Sequence, residues 1–336
     1  MIFLTEKLSM EQNCICISIL RLLLLLFFSS VIPAQADPVV SNLSAISESD
    51  IRDSAIAFVN MSTTPGLEGA VLTVDSDDRH SEQLRGSLGF SAEFTIRDHV
   101  FNGYWGLAIV GGDLDDNIRL VADTGEQVKL GVTRTLYGLR GSFGLSFPVN
   151  QYFKIRPYLS LMVSDLKTET VVEGLAITDS SGVTSTVNYF TSRAQMASGI
   201  GTLEALYSRW YGDNRLELSA FYNLIYTDSF SEDNPVLNVN NEVNHTVQFK
   251  SRYTGPTGLV SEGRPWRWQA YANYTKFISH NNRSLGYTGL FDFGGGLEWE
   301  MNIKPLDWFG WQMLGLRAGI IYGDNVDGYK FGLTAR

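Results

Sequence analysis

The sequence predicts an all-β fold: a transmembrane, antiparallel, up-and-down β-barrel of about twelve strands, with a candidate N-terminal lumenal helix. Three observations predict it. Apolar and polar residues alternate with period two in long runs, such as Leu84 to Ile96 and Leu139 to Val149. A tilted membrane strand needs roughly 9–11 residues, whereas ordinary strands average about five or six. Aromatic residues gather near the ends of those runs: Tyr104-Trp105, Trp210-Tyr211, Trp266 with Trp268, and Trp308-Phe309 with Trp311. Such rings prefer the lipid–water boundary. A leader-like segment opens the chain. Alternation alone also fits a soluble sandwich, so run length, aromatic ends and leader decide for a barrel. In lipid, a sheet satisfies every backbone group only by closing on itself.

The leader comes first. Arg21 precedes the apolar run Leu22 to Phe28, and Ser29 to Pro33 lead into Ala34-Gln35-Ala36. This is a charged region, an apolar region and a small-x-small cleavage site, so residues 1–36 read as a signal peptide cut near Ala36. Met10 is an alternative start, and an uncleaved anchor helix is the competing reading. Cys14 and Cys16 are the only cysteines and both lie in the leader. The remaining chain therefore offers no disulfide or thiolate metal site. Its net charge of −10 leaves no basic footprint for nucleic acid.

Residues 37–66 form a polar N-terminal segment. Within it, residues 45–60 place Ile46, Ile51, Ala55, Phe58 and Val59 near helical spacing, with Ser47 or Ser49 as cap. The alternatives are a surface helix or a frayed terminus. Residues 67–336 carry the barrel. Strands are expected at 67–75, 82–96, 104–113, 132–148, 153–170, 195–212, 215–229, 243–254, 266–279, 285–301, 311–322 and 328–336. An even count puts the long polar stretches 114–131, 171–194 and 230–242 outside and the turns 97–103, 149–152, 213–214 and 302–310 on the periplasmic side. The connection 255–265 is long for a periplasmic turn.

The last strand carries Lys330, Gly332 and Ala335 at the polar, glycine and hydrophobic positions of a barrel assembly signal, and the chain stops at Arg336 without a terminal aromatic. With GYKFGLTAR as last strand, twelve strands in roughly 270 residues and a preceding helix, residues 45–336 resemble the translocator barrel of autotransporters. That resemblance implies a helix threaded through the lumen, a Gram-negative outer-membrane location, and outer-membrane lipid and the barrel-assembly machinery as partners. With only residues 37 to about 66 ahead of the barrel, the resemblance is to a solitary barrel without a passenger. Self-cleaving members cut beside an Asn pair in the lumenal helix. Here only Asn60 stands near the helix end, so no cleavage site carries over.

Chemistry-bearing motifs are few. His80, His99, His245 and His280 lack metal-ligand spacing to one another. Ser279-His280-Asn281-Asn282-Arg283-Ser284 is similar to the active strand of outer-membrane phospholipases, where the nucleophilic Ser follows His by two. Asn282 holds that position, and Ser284 lies roughly 13 Å further along an extended strand. Gly111-Gly112-Asp113-Leu114-Asp115-Asp116-Asn117 lacks the glycine and distal Glu of a calcium loop and reads as a solvated acidic loop. No catalytic residue, metal or cofactor is expected.

Period two instead nominates lumen-lining residues: Arg85, Glu93, Arg140, Arg156, Glu217, Lys250, Arg252, Asp292, Glu298, Glu300, Arg317 and Lys330. Both signs occur in similar number. The preferred reading is a structural network of ion pairs; the alternative is a mixed-charge pore. The function expected is therefore a non-enzymatic barrel plugged by its N-terminal helix. A small-solute pore, a surface adhesin or receptor acting through outer loops, and a lipase are the competing readings.

Overall fold

Twelve strands, each hydrogen-bonded to two neighbours, close into an antiparallel barrel in a computed structural model of the chain. The structure describes residues 48–64, 69–76, 79–97, 100–121, 127–178, 184–233, 237, 239–278, 286–301 and 313–335. The expected leader and its cut, residues 37–47, the Ser279–Ser284 motif, the Trp308–Trp311 cluster and Arg336 lie outside them.

A helix precedes the barrel: α1, Glu48–Thr63. The strands follow as β1 Ala70–Ser76, β2 Arg79–Arg97, β3 Phe101–Val121, β4 Gln127–Pro148, β5 Phe153–Thr178, β6 Thr184–Tyr211, β7 Asn214–Glu232, β8 Glu242–Ser261, β9 Arg264–Phe277, β10 Gly289–Glu300, β11 Met313–Gly323 and β12 Val326–Ala335. All are up-and-down neighbours, and β1 closes the wall against β12. The closure is narrow. β1 pairs with β12 over four positions, Val71↔Tyr329 to Val74↔Val326, and with β2 over Ala70↔Arg85 to Ser76↔Arg79.

The wall sorts residues as period two demands. Leu88, Ile109, Phe143, Leu161, Leu316 and Phe331 point outward and are 62% to 73% exposed. Their neighbours in sequence point inward and, Gly89 apart, are buried or half-buried. A continuous apolar exterior on a closed sheet has water-excluding lipid as its fitting medium. Aromatics rim it. Near the turn end stand Trp105 against Phe90, Trp266 stacked on Trp299, and Tyr253 against Trp268.

Two expectations about loops need correction. The stretches 114–131 and 171–194 are mostly strand: β3 runs to Val121 and β4 begins at Gln127, while β5 runs to Thr178 and β6 begins at Thr184. Only 122–126 and 179–183 separate them. Polarity there reflects exit from the apolar belt and not loss of pairing. Lys129 sits opposite Glu173, and Lys167 opposite Arg193. The acidic stretch Asp113 to Asn117 is likewise part of β3, so its carboxylates alternate faces. Asp113 and Asp115 are exposed and Asp116 is buried inward, which dismantles any calcium loop.

The long connection at 255–265 is also strand. β8 continues to Ser261 and β9 starts at Arg264. The two-residue turn between them has positive φ at Glu262 (51°) and Gly263 (73°), the twist that suits a tight hairpin. The pairing shifts register between Pro256 and Val260, and this irregularity takes up the surplus length. The turns from β2 to β3, β4 to β5, β6 to β7 and β8 to β9 thus share one end of the barrel with the last residues of β12, and the short connections from β1 to β2 and from β11 to β12 lie at the opposite end. The 233–241 and 278–288 connections lie at the other, here the loop end.

α1 lies inside the loop-end half of the lumen, three residues further along the chain than expected. Its neighbours come from all round the wall. Arg134 of β4 donates to Ser54 Oγ (2.7 Å), Thr227 of β7 donates to Asn60 Oδ1 (3.3 Å), and Tyr287 contacts Met61. Phe58 and Met61 share one core with Leu72, Leu136, Met162, Met196 and Ile321. Ser54 to Ser62 are buried without a solvent face. Burial all round excludes both a surface helix and a frayed end. The helix ends where Thr64 N–H and Oγ1 both return to the Asn60 carbonyl, at 3.0 and 2.7 Å.

Candidate functional site

The lumen has two storeys. Apolar side chains and α1 fill the loop-end storey. The turn-end storey is lined by charged and aromatic residues, and all twelve lumen candidates stand on inward-facing strand positions.

Three ionic groups divide this lining. In the first, Glu93 of β2 accepts from Lys154 (2.6 Å) and Arg156, and Arg156 also donates to Glu204 of β6 at 2.8 Å. Arg156 lies over the Tyr104 ring, 4.4 Å from its centroid, and Tyr104 packs on Tyr158 at 5.0 Å. Arg140 sits beside both tyrosines. In the second, Glu217 of β7 bridges Arg215 (3.0 Å) and Arg252 (2.8 Å), with Glu298 3.9 Å from Arg252. Glu300 is 3.9 Å from Arg267.

The third group surrounds Asp292. Lys330 Nζ lies 3.2 Å from its Oδ1, to which Asn273 donates at 2.9 Å. Strand register places Lys250, Asn273 and Asp292 on one rung of β8, β9 and β10. Lys330 and Arg317 both lie over the Tyr271 ring, at 5.1 and 5.4 Å. Tyr271 reaches them by lying flat against the wall. A Cβ at Gly294 or Gly319 would fall on its hydroxyl, so the glycines open the space the phenol fills. Arg85 of β2 faces Asp292 and Tyr287 from the other side.

Sequence reading missed Lys154, Glu204, Arg215 and Arg267, and with them basic side chains outnumber acidic ones along this wall. Lys154 shares its parity with Arg156, and Arg215 with Glu217, so period two carries the signal for both. Tyr158 and Tyr271 were also missed, because their roles depend on packing across strands, and Tyr104, expected in the aromatic girdle, instead faces the lumen against Arg156 and Tyr158.

Outside the lumen, chemistry is sparse. His80 at the loop end bonds Asp75 at 2.5 Å, and this bond, with Glu82 nearby, holds its imidazole above the usual histidine range. His245 bonds Tyr222 at 2.7 Å. Among the described residues no three His, Cys, Asp or Glu side chains converge as metal ligands.

No family model and no curated protein matches the chain. Several solved structures do. The β domain of the Bordetella autotransporter BrkA is 11% identical, with 80% of this chain covering 95% of it at a TM-score of 0.47. The translocator domain of NalP from Neisseria meningitidis is 10% identical, with 86% and 98% covered at 0.47. The transport unit of AIDA-I from Escherichia coli is 10% identical, with 85% and 98% covered at 0.48. The closed twelve-strand wall and its apolar, aromatic-rimmed belt make this chain an outer-membrane β-barrel, similar to autotransporter translocator barrels.

Proposed function

We propose that the chain is a non-enzymatic barrel whose N-terminal helix plugs its own lumen. The observation that carries this reading is α1 itself, buried on every side from Ser54 to Ser62 and bonded to β4 and β7. A helix held from several directions obstructs the path through the barrel. On this reading the leader is removed near Ala36, the turn end faces the periplasm, and Lys330, Gly332 and Ala335 present the last strand to the barrel-assembly machinery. The twelve inward charges then serve first as wall stiffening, since buried charges persist when paired.

The test is conductance in planar bilayers. The full-length barrel is expected to conduct weakly, and deletion of residues 45–60 to raise conductance. Heat-modifiable gel migration checks that both proteins fold. High conductance unchanged by the deletion would remove the plug from the proposal and leave an ordinary small-solute pore.

A further inference from the structure

On the outside of the wall, the turn-end rim carries a cation set among phenols. Arg209 stands near the end of β6, on the same outward face as Leu203, Tyr207 and Tyr211. Its guanidinium lies over the Tyr152 ring, 4.8 Å from the centroid, and over the Tyr211 ring at 5.1 Å. It also bonds the Tyr207 hydroxyl. The hydroxyls of Tyr207 and Tyr211 are 3.2 Å apart, and the Tyr152 and Tyr207 rings pack at 6.5 Å.

Backbone contacts hold the cluster in place. Asn150 Oδ1 accepts from the N–H groups of Tyr152 and Phe153, at 2.8 and 2.9 Å. Ser208 N–H donates to the Tyr152 carbonyl at 2.8 Å. The turn from β4 to β5 is thereby fixed against the end of β6, and Tyr152 with it.

The charge of this cluster is not matched by an acid. Among the described residues no Asp or Glu pairs with Arg209. Arg193, on the same face at the loop end of the same strand, is bound by Asp165. A guanidinium resting on aromatic faces presents its edge to a ligand, and its planar fork matches phosphate. The bond between Tyr207 and Tyr211 uses one phenol proton, so the other hydroxyl is able to donate outward. Toward the middle of the belt the neighbouring surface is apolar, with Leu159, Leu203 and Tyr222 exposed at 70%, 52% and 44%. A ligand that meets both surfaces has an anionic head and an apolar tail, and basic groups at a membrane surface attract anionic lipid.

We propose that Tyr152, Tyr207, Arg209 and Tyr211 form a headgroup site for an anionic phospholipid, its phosphate on the guanidinium and an acyl chain along Leu203 and Leu159. The site rests on the apolar exterior facing lipid and not on the plug. That the periplasmic leaflet supplies the lipid follows from the orientation proposed above.

The test is native mass spectrometry of the detergent-folded full-length barrel, titrated with dioctanoyl phosphatidylglycerol or dioctanoyl phosphatidylcholine. Phosphatidylglycerol is expected to bind roughly tenfold more tightly, the size of one charge-assisted hydrogen bond. Arg209→Gln is expected to abolish that preference, and Tyr211→Phe, which keeps the ring, to reduce it. Arg193→Gln removes the same charge from the same face of β6 and is expected to retain the preference. Equal binding of the two lipids by the parent, or equal loss in Arg209→Gln and Arg193→Gln, would overturn the site. Inorganic phosphate equimolar with the lipid is expected to leave it bound; displacement would overturn a lipid as the occupant. Heat-modifiable migration checks that each variant folds. Failure of the plug appears separately, as conductance unchanged by deletion of residues 45–60, and the barrel lacking them is expected to keep the lipid preference.

Discussion

Arg156 shows how single residues hold this lumen. Its guanidinium links Glu93 of β2 with Glu204 of β6, so one side chain ties together strands that are not neighbours. Its side chain is 12% exposed and that of Glu204 6%. Removing one member of a buried pair leaves the other charged and unsolvated, at a cost of about 3–5 kcal/mol. Arg156→Ala is therefore expected to lower the urea stability of the folded barrel by about that amount. Arg156→Met combined with Glu204→Gln is expected to recover much of the loss, because it removes the stranded carboxylate while Glu93 keeps Lys154. Unfolding followed by tryptophan fluorescence in lipid vesicles measures both, and equal stabilities for Arg156→Ala and the parent would show that the bridge holds nothing. Period two exposed Arg156 and Glu93 as inward residues in the sequence. That they meet was illegible, because their separation along the chain says nothing about which strands lie across a lumen.

Among elements, α1 and β3 are matched by one missing side chain. Gly112 of β3 faces the helix. A Cβ there would stand 3.1 Å from the Phe58 ring and 3.2 Å from Ser62 Oγ, tighter than ordinary packing allows. Gly112→Leu adds more volume than the contact can absorb, and overpacking costs about 1–3 kcal/mol. The substitution is expected to push α1 from its seat and raise single-channel conductance toward that of the 45–60 deletion. Conductance identical to the parent would mean that the helix is not held by this contact. Helix and strands were mostly legible as elements: α1 begins three residues later than its spacing suggested, and β2, β4 and β7 fall close to their alternating runs. The projecting hairpins were not legible. Outside the belt the outer face of a strand meets water, so Asp113 and Asp115 replace the apolar half of the alternation while Leu114 and Asp116 stay buried inward and the ladder continues.

For the whole molecule, closure is the least redundant part of the wall. β5 and β6 pair from Phe153↔Tyr207 to Thr178↔Thr184, whereas β1 meets β12 at four positions. Local opening is governed by how much pairing must be broken. Backbone amides of β1 and their partners in β12 are expected to exchange with deuterium faster than those in the membrane part of β5 and β6. Equal protection would show that the closure is reinforced beyond these pairs. If the join yields first, the barrel behaves less like a pipe than like a cuff with a short clasp. Releasing the clasp would connect the interior with the surrounding bilayer sideways, by a route that leaves the helix in its seat.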